Sequence, residues 1–265
     1  MEKFYYGISG TGTDLKIPIG TILVSVASLY QRGKFRIPDL AGGYDEIMLD
    51  WGGYSWFHNH DSYPFAPVEY WKFVKDFISV YPQTTYVAMM DYPCEPTVLS
   101  ANAFSNRCRI HASIQNFREL IKLPIDAEWM AVIQGYSKSD YSYCAALLHK
   151  FRLYTKLTAI GSVCQRKGTG TIKEIIQHVV AQNPRVNYHA FGLQIRALMD
   201  QNTKDLLYSS DSHAWRFFTG AHKPSKNVWK PRNIEEKLEN YYRYRIKIEE
   251  NILGDCRYRN LAEAV

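Results

Sequence analysis

Paired cysteines are missing from this chain. Its 265 residues hold five cysteines, Cys94, Cys108, Cys144, Cys164 and Cys256, an odd number without a CxxC spacing. That argues against a disulfide framework and against a structural zinc site built on cysteine pairs. Reduced thiols in a cytoplasm are the expectation. Long apolar runs are also missing. Those present, such as 21–29 and 130–133, fall far short of the roughly 18 residues a membrane helix needs. Met1-Glu2-Lys3-Phe4 lacks the basic-then-apolar pattern of a secretory leader. No internal repeat, low-complexity tract or Pro/Gly-rich linker divides the sequence.

What is present is ordinary globular material. Hydrophobic residues make up 46% and charged residues 22%, which excludes wholesale disorder. A net charge of +6 fits a polyanionic partner, although many soluble proteins are as basic. The 20 tyrosines and 6 tryptophans suit stacking on bases, and equally suit an aromatic core.

Short β-rich runs alternate with helical stretches. Strands are predicted at 4–8, 22–27, 46–50, 85–90, 129–134, 157–163, 187–193 and 206–210. Several are apolar at consecutive positions, as strands buried on both faces are. Helices are predicted at 68–80, 111–121, 139–154, 172–182 and 195–201. In the fourth, Ile175, Ile176, Val179 and Val180 form a stripe, with Thr171 as N-cap and Glu174 completing a capping box. Alternation of this kind implies a parallel sheet, and about eight strands imply closure. The fold class expected is α/β, a single (β/α)8 TIM-type barrel. The rival, a doubly wound open sheet, needs a phosphate loop. The glycines at 7, 10 and 12 lack the full fingerprint, and no clear helix follows them. Residues 1–265 are read as one domain, with 233–265 a charged, tyrosine-rich helical segment packed on it. Leu238, Tyr241, Tyr242, Ile248 and Ile252 form that segment's apolar side.

In a parallel barrel, chemistry gathers where strands end. Here Asp50, Asp91, Gln134, Gly161-Ser162 and Asp211 end five predicted strands. Each has an ordinary alternative, since Asp after a strand also caps helices and opens turns. Gathered at one mouth, they suit substitution at a sugar carbon. One carboxylate attacks C1′ and another moves a proton at the leaving group; a retaining pair stands about 5 Å apart. Asp with Gln also matches the hydrogen-bonding edge of a purine.

At these residues the chain resembles the tRNA-guanine transglycosylase superfamily, and within it the DNA-acting branch that inserts 7-deazaguanines. The motif-bearing segments are Asp50-Trp51-Gly52-Gly53-Tyr54, Asp91-Tyr92-Pro93-Cys94-Glu95-Pro96, Ile133-Gln134-Gly135-Tyr136, Gly161-Ser162-Val163 and Ser210-Asp211-Ser212. They occur in family order. The resemblance implies Asp211 as the nucleophile of a covalent glycosyl-enzyme and Asp50 as the general acid/base. It implies Asp91, Gln134, Gly161 and Ser162 as readers of guanine or a 7-deazaguanine such as the 7-cyano form. Tyr92 is a further candidate, for stacking on the base.

Three departures stand out. Trp51 replaces the serine that follows the family's aspartate. The tRNA enzymes' Cys-x-Cys-x-x-Cys zinc set is missing. The chain is also shorter than those enzymes. The last two favour DNA over tRNA. The expected partners are therefore DNA, with tRNA as alternative, a deazaguanine base and a partner protein or second copy. No cofactor, metal or membrane is expected. Arg166, Lys167, Lys223 and Lys226 are candidates for phosphate contact, with ordinary surface charge as the alternative. Arg32, Lys34 and Arg36 form another basic cluster. His58 and His60 read as a polar loop, His213 as either substrate contact or helix start, and His189 as a satisfied core histidine. Two rivals to a DNA enzyme remain: the same chemistry on tRNA, and a non-catalytic barrel that binds nucleic acid. A glycoside hydrolase would leave Asp91 and Gln134 idle.

Overall fold

The alternating pattern folds as a closed ring. The computed structural model describes residues 1–9, 20–98, 105–166, 168–217 and 234–254. Ten strands occur among them: β1 (Lys3–Ser9), β2 (Gly20–Ser25), β3 (Tyr30–Gln31), β4 (Lys34–Phe35), β5 (Tyr44–Asp50), β6 (Thr84–Ala88), β7 (Glu128–Ile133), β8 (Leu157–Ile160), β9 (Asn187–Ala190) and β10 (Ser209–Ser212). Eight of them form a closed parallel barrel in the order β1-β10-β9-β8-β7-β6-β5-β2. The (β/α)8-type barrel read from the sequence is the fold observed.

Helices α1 (Gly53–Trp56), α2 (Pro67–Val80), α3 (Asn106–Leu120), α4 (Lys138–Lys150), α5 (Thr169–Gln182), α6 (Ile195–Leu198), α7 (Gln201–Asp205) and α8 (Ile234–Ile248) are connected with these strands. α2 shows why they pack as they do. Tyr70, Phe73, Val74, Phe77 and Ile78 recur at helical spacing and are all buried. Pro67 opens the helix, and Glu69 Oε2 accepts the Ala66 N–H at 2.8 Å. α4 starts on a reciprocal cap: Ser137 Oγ accepts from Asp140 N–H at 3.2 Å, and Asp140 Oδ2 accepts from Ser137 N–H at 2.9 Å.

Between β2 and β5 a 3-10 turn at Val26–Leu29 and the antiparallel β3–β4 hairpin replace a helix. The outer side of β1 is covered from the far end of the sequence. Phe4 and Tyr6 meet Tyr241 and Tyr244 of α8, and the Trp215 indole donates to the Gly7 carbonyl at 2.7 Å. Tyr244 and a buried Arg245–Glu249 ion pair of 2.6 Å also face inward, beyond the apolar side predicted for this helix.

Two local expectations are corrected. The last barrel strand starts at Ser209, not 206, because Leu206 closes α7. Asp211 therefore lies within the strand. Thr171 is not an N-cap: α5 begins at Thr169, so Thr171 sits in its first turn. The glycine loop at 10–12 lies outside the described residues.

Inside the barrel, side chains from distant strands meet. Tyr5 of β1 donates to Glu46 Oε1 of β5 at 2.5 Å, and its ring lies edge-on to His189 of β9 at 5.8 Å. Lys3 pairs with the same Glu46 at 2.5 Å. This polar floor lies toward the strand starts. The opposite end is the mouth.

Candidate active site

A cavity of about 730 Å³ opens at the strand ends. Asp50 from the end of β5 and Asp211 from β10 both line it, with Phe191, Tyr54, Trp56 and His213. Gly52 places Asp50. Its φ of +81° turns the chain into α1, and a Cβ there would fall 2.1 Å from Ser25 Oγ. The turn lets the Gly52 N–H donate back to Asp50 Oδ2 at 2.9 Å. Trp51, the departure from the family pattern, points elsewhere. It is buried against Trp56, Tyr63, Phe65 and Tyr70. The indole thus serves packing beside the site, and the Asp50 carboxyl keeps its place on the cavity wall.

Desolvation holds the Asp50 carboxyl well above the usual carboxylate range, and the negative charges of Asp91 and Asp211 push it further. Asp211 is fixed differently. Its Oδ1 accepts the Gly192 N–H at 2.7 Å and faces His189 Nε2 at 3.3 Å. His189 is fully buried, and its Nδ1 meets Ser209 Oγ at 2.9 Å. The sequence reading took this histidine as a core residue and missed its link to Asp211. The signal was present: Ser209 and Asp211 lie two apart on one strand, and β9–β10 pairing sets His189 beside Ser209.

Asp91, Gln134, Gly161 and Ser162 form a second group. They do not line the cavity. Asp91, Gln134 and Ser162 lie buried at the ends of neighbouring strands β6, β7 and β8. Gln134 Nε2 donates to Asp91 Oδ2, and Ser162 Oγ donates to Gln134 Oε1 at 2.6 Å. Gly161 is required by contact, since a Cβ would sit 2.3 Å from Gln134 Nε2. Ser162 holds a left-handed φ of +54°, an uncommon conformation for a side-chain-bearing residue, of the kind found where a site imposes it. Glu95, quoted in a motif but given no role, joins this group through Ser162 Oγ at 2.7 Å. Burial raises the Asp91 carboxyl to about 7.

The remaining candidates separate. Arg166 is buried, and its guanidinium donates to the Ser162 and Tyr136 carbonyls at 3.0 and 2.6 Å. It braces the loop after β8 and points away from solvent, which corrects its reading as a phosphate contact. Lys167, Lys223, Lys226 and Cys256 lie outside the described residues. Tyr92 packs on Phe57 and Tyr63 and does not line the cavity. His60 stacks on Trp56 at 3.8 Å on the rim, and His58 lies against Tyr54. Arg32, Lys34 and Arg36 remain exposed on and after the β3–β4 hairpin. That hairpin follows the mouth end of β2, and its Tyr30 touches Trp56 of the cavity. Among the described residues there is no group of three or more His, Cys, Asp or Glu placed to hold a metal, and no helix long and apolar enough to cross a membrane.

A comparison with curated proteins finds no match to this chain. A family model does match, over residues 2–259. With an eight-stranded parallel barrel and two aspartates at its mouth already described, that match fixes the relationship: the chain belongs to the DpdA family, DeoxyPurine in DNA protein A, the DNA 7-deazaguanine-inserting branch of the transglycosylase superfamily.

Proposed function

We propose that this chain exchanges guanine in DNA for a 7-deazaguanine, such as the 7-cyano form, through a covalent aspartyl intermediate. The observation that carries the reading is the convergence of Asp50 and Asp211 on one cavity from two strands of the barrel. Asp211 attacks C1′ of the target deoxyguanosine. The C1′–N9 bond breaks and a C1′–Oδ ester forms. Asp50, whose carboxyl is raised by burial and by the neighbouring charges of Asp91 and Asp211, donates to the departing guanine. The incoming base then gives its proton to the Asp50 carboxylate and attacks C1′, which frees Asp211. Two displacements leave the sugar with its original configuration.

Gly192 and His189 hold Asp211 in one orientation, so the nucleophile is positioned before substrate arrives. Asp91, near enough to Asp50 of the cavity wall for its charge to act there, and Gln134 read the purine edge of a base that passes beyond that wall, with Gly161 and Ser162 supporting them. Phe191, Tyr54 and Trp56 give the cavity aromatic surface against which a flipped base can stack. Phosphate contacts fall to Arg32, Lys34 and Arg36 on the mouth side, joined by Lys223 and Lys226. One glycosidic bond replaces another, so the scheme needs no redox cofactor or nucleotide. Residues 1–265 act in it as one domain.

The test is base exchange. Protein is incubated with 7-cyano-7-deazaguanine and either DNA or tRNA, and the digested nucleosides are analysed by mass spectrometry. A modified deoxynucleoside from wild type and none from Asp211→Ala is the expected result. A modified ribonucleoside instead would move the chain to tRNA. Exchange that survives Asp211→Ala would remove the covalent step.

A further inference from the structure

Glu95 takes no part in the reaction just outlined, yet it is only 3% exposed and ends a chain of four polar side chains. In order, these are Asp91, Gln134, Ser162 and Glu95, joined by three hydrogen bonds. Ser162 Oγ also accepts the Cys94 N–H at 2.9 Å. The serine has one hydroxyl hydrogen but faces oxygen on both sides, Gln134 Oε1 at 2.6 Å and Glu95 Oε2 at 2.7 Å. With both carboxyls ionised, one oxygen–oxygen contact holds no hydrogen. One proton is the fewest that satisfies every contact; a second turns onto a carboxyl oxygen outside the chain or, kept within it, gives Ser162 Oγ three hydrogens to accept on two lone pairs.

The single proton does so in two ways. In the first, Glu95 donates to Ser162, Ser162 to the Gln134 carbonyl, and the Gln134 amide to an ionised Asp91. In the second, Asp91 donates to the Gln134 carbonyl, the amide to Ser162, and Ser162 to an ionised Glu95. The two differ by net transfer of one proton from Glu95 to Asp91, a half-turn of the amide and a turn of the hydroxyl. Nothing else changes.

We propose that Asp91 and Glu95 share one carboxyl proton, and that Glu95 is a positioning residue that sets the hydrogen-bonding pattern shown to a purine edge. An ionised Asp91 accepts from the N1–H and N2–H of guanine. A protonated Asp91 spends its hydrogen on the Gln134 carbonyl and no longer presents the charged acceptor that those two donors need. This rests on the reading of Asp91 and Gln134 as the base-binding pair.

The surroundings are consistent with a held proton. Asp91 is bonded to Gln134, just past β7, and interacts electrostatically with Glu95, Asp50 of β5, Tyr70 of α2, Cys144 of α4 and Tyr63. Glu95 faces Ser162, Cys164, Cys94 and Tyr141, with Arg109 and Arg166 supplying positive charge. Burial raises both carboxyls above their ordinary range.

Two measurements on the full chain test this, using the isosteric Glu95→Gln and, at the other end, Asp91→Asn. The first is an infrared difference spectrum of the ligand-free protein near pH 8. Wild type is expected to show a protonated-carboxyl stretch, sensitive to D2O, that each variant loses. An unchanged stretch in both variants overturns the shared proton. The second is the KM for free guanine in base exchange. Wild type is expected to stay flat between about pH 6 and 8, while Glu95→Gln rises about tenfold toward the acid side with little change in kcat. A lost stretch with a wild-type pH profile in Glu95→Gln overturns the role of Glu95 at the purine edge. A wild type that exchanges no base overturns the functional reading; the infrared result then decides the shared proton by itself.

Discussion

His189 Nε2 stands 3.3 Å from Asp211 Oδ1, deep in the barrel, and the same oxygen takes the Gly192 N–H. In the proposed reaction, two fixed partners on one oxygen leave the other oxygen of Asp211 for the sugar. Removing the imidazole loosens that arrangement and leaves the carboxylate chemically intact. His189→Ala is therefore expected to lower kcat by about tenfold to a hundredfold, with little effect on DNA affinity. Single-turnover exchange beside a DNA-binding titration checks this. An unchanged kcat would make His189 a packing residue only.

Asp50 carries a cost in stability. Its carboxyl is desolvated and lies near two other acids, so its folded-state pKa is raised. A carboxyl raised on folding favours the folded state while protonated. That contribution fades as pH climbs from the ordinary carboxylate range through the raised value. Asp50→Asn should abolish exchange yet raise the melting temperature by roughly 2–4 °C at neutral pH, about 1 kcal/mol. The gap should narrow as pH falls toward the usual carboxylate range. Calorimetry at several pH values reads it. A variant no more stable than wild type would count against the electrostatic account.

The exposed basic hairpin bears on the polyanion. If Arg32, Lys34 and Arg36 each neutralise a phosphate, replacing all three by Ala weakens binding across DNA sequences alike. The slope of log affinity against log salt should then fall by up to about 3. An unchanged slope would place the DNA path elsewhere on the mouth.

Gly161 tests the proposed purine-reading group without touching a carboxylate. A methyl there meets Gln134 at 2.3 Å and must displace it. Gly161→Ala should raise the KM for free base at least about tenfold, since one displaced hydrogen-bonding side chain is worth about 1.5 kcal/mol. The rate of sugar–base cleavage at saturation should change far less. Equal losses in kcat and kcat/KM would instead tie Gln134 to the bond-breaking step.

The sequence carried the fold because apolar strand runs recur between amphipathic stretches such as α2. It set Asp50, Asp91, Gln134 and Asp211 at one end of the barrel because they follow or end those runs. The misses have physical causes. The Asp211 strand is Ser209-Ser210-Asp211-Ser212, which has no apolar residue to mark its start. His189 looked like core because its partners come from the next strand, a pairing that single-strand periodicity does not reveal. Glu95 lies between two prolines in an irregular loop, where no period assigns a direction. Arg166 looked like a phosphate ligand because a basic residue after a strand gives no sign of its inward turn to loop carbonyls.

The cover over β1 has a consequence for biogenesis. That strand pairs with β10 about 206 positions later, taking Tyr5 and Asp211 as partners, and its outer side waits for Tyr241 and Tyr244 of α8. On a ribosome, the first strand emerges with half of its neighbours unmade. Ring closure is thus a late, long-range event, and such topologies assemble slowly. Until it happens, an aromatic strand edge stays open to the wrong partner. Asp211, the proposed nucleophile, sits on the very strand that closes the ring, so the proposed site and the closed barrel form together.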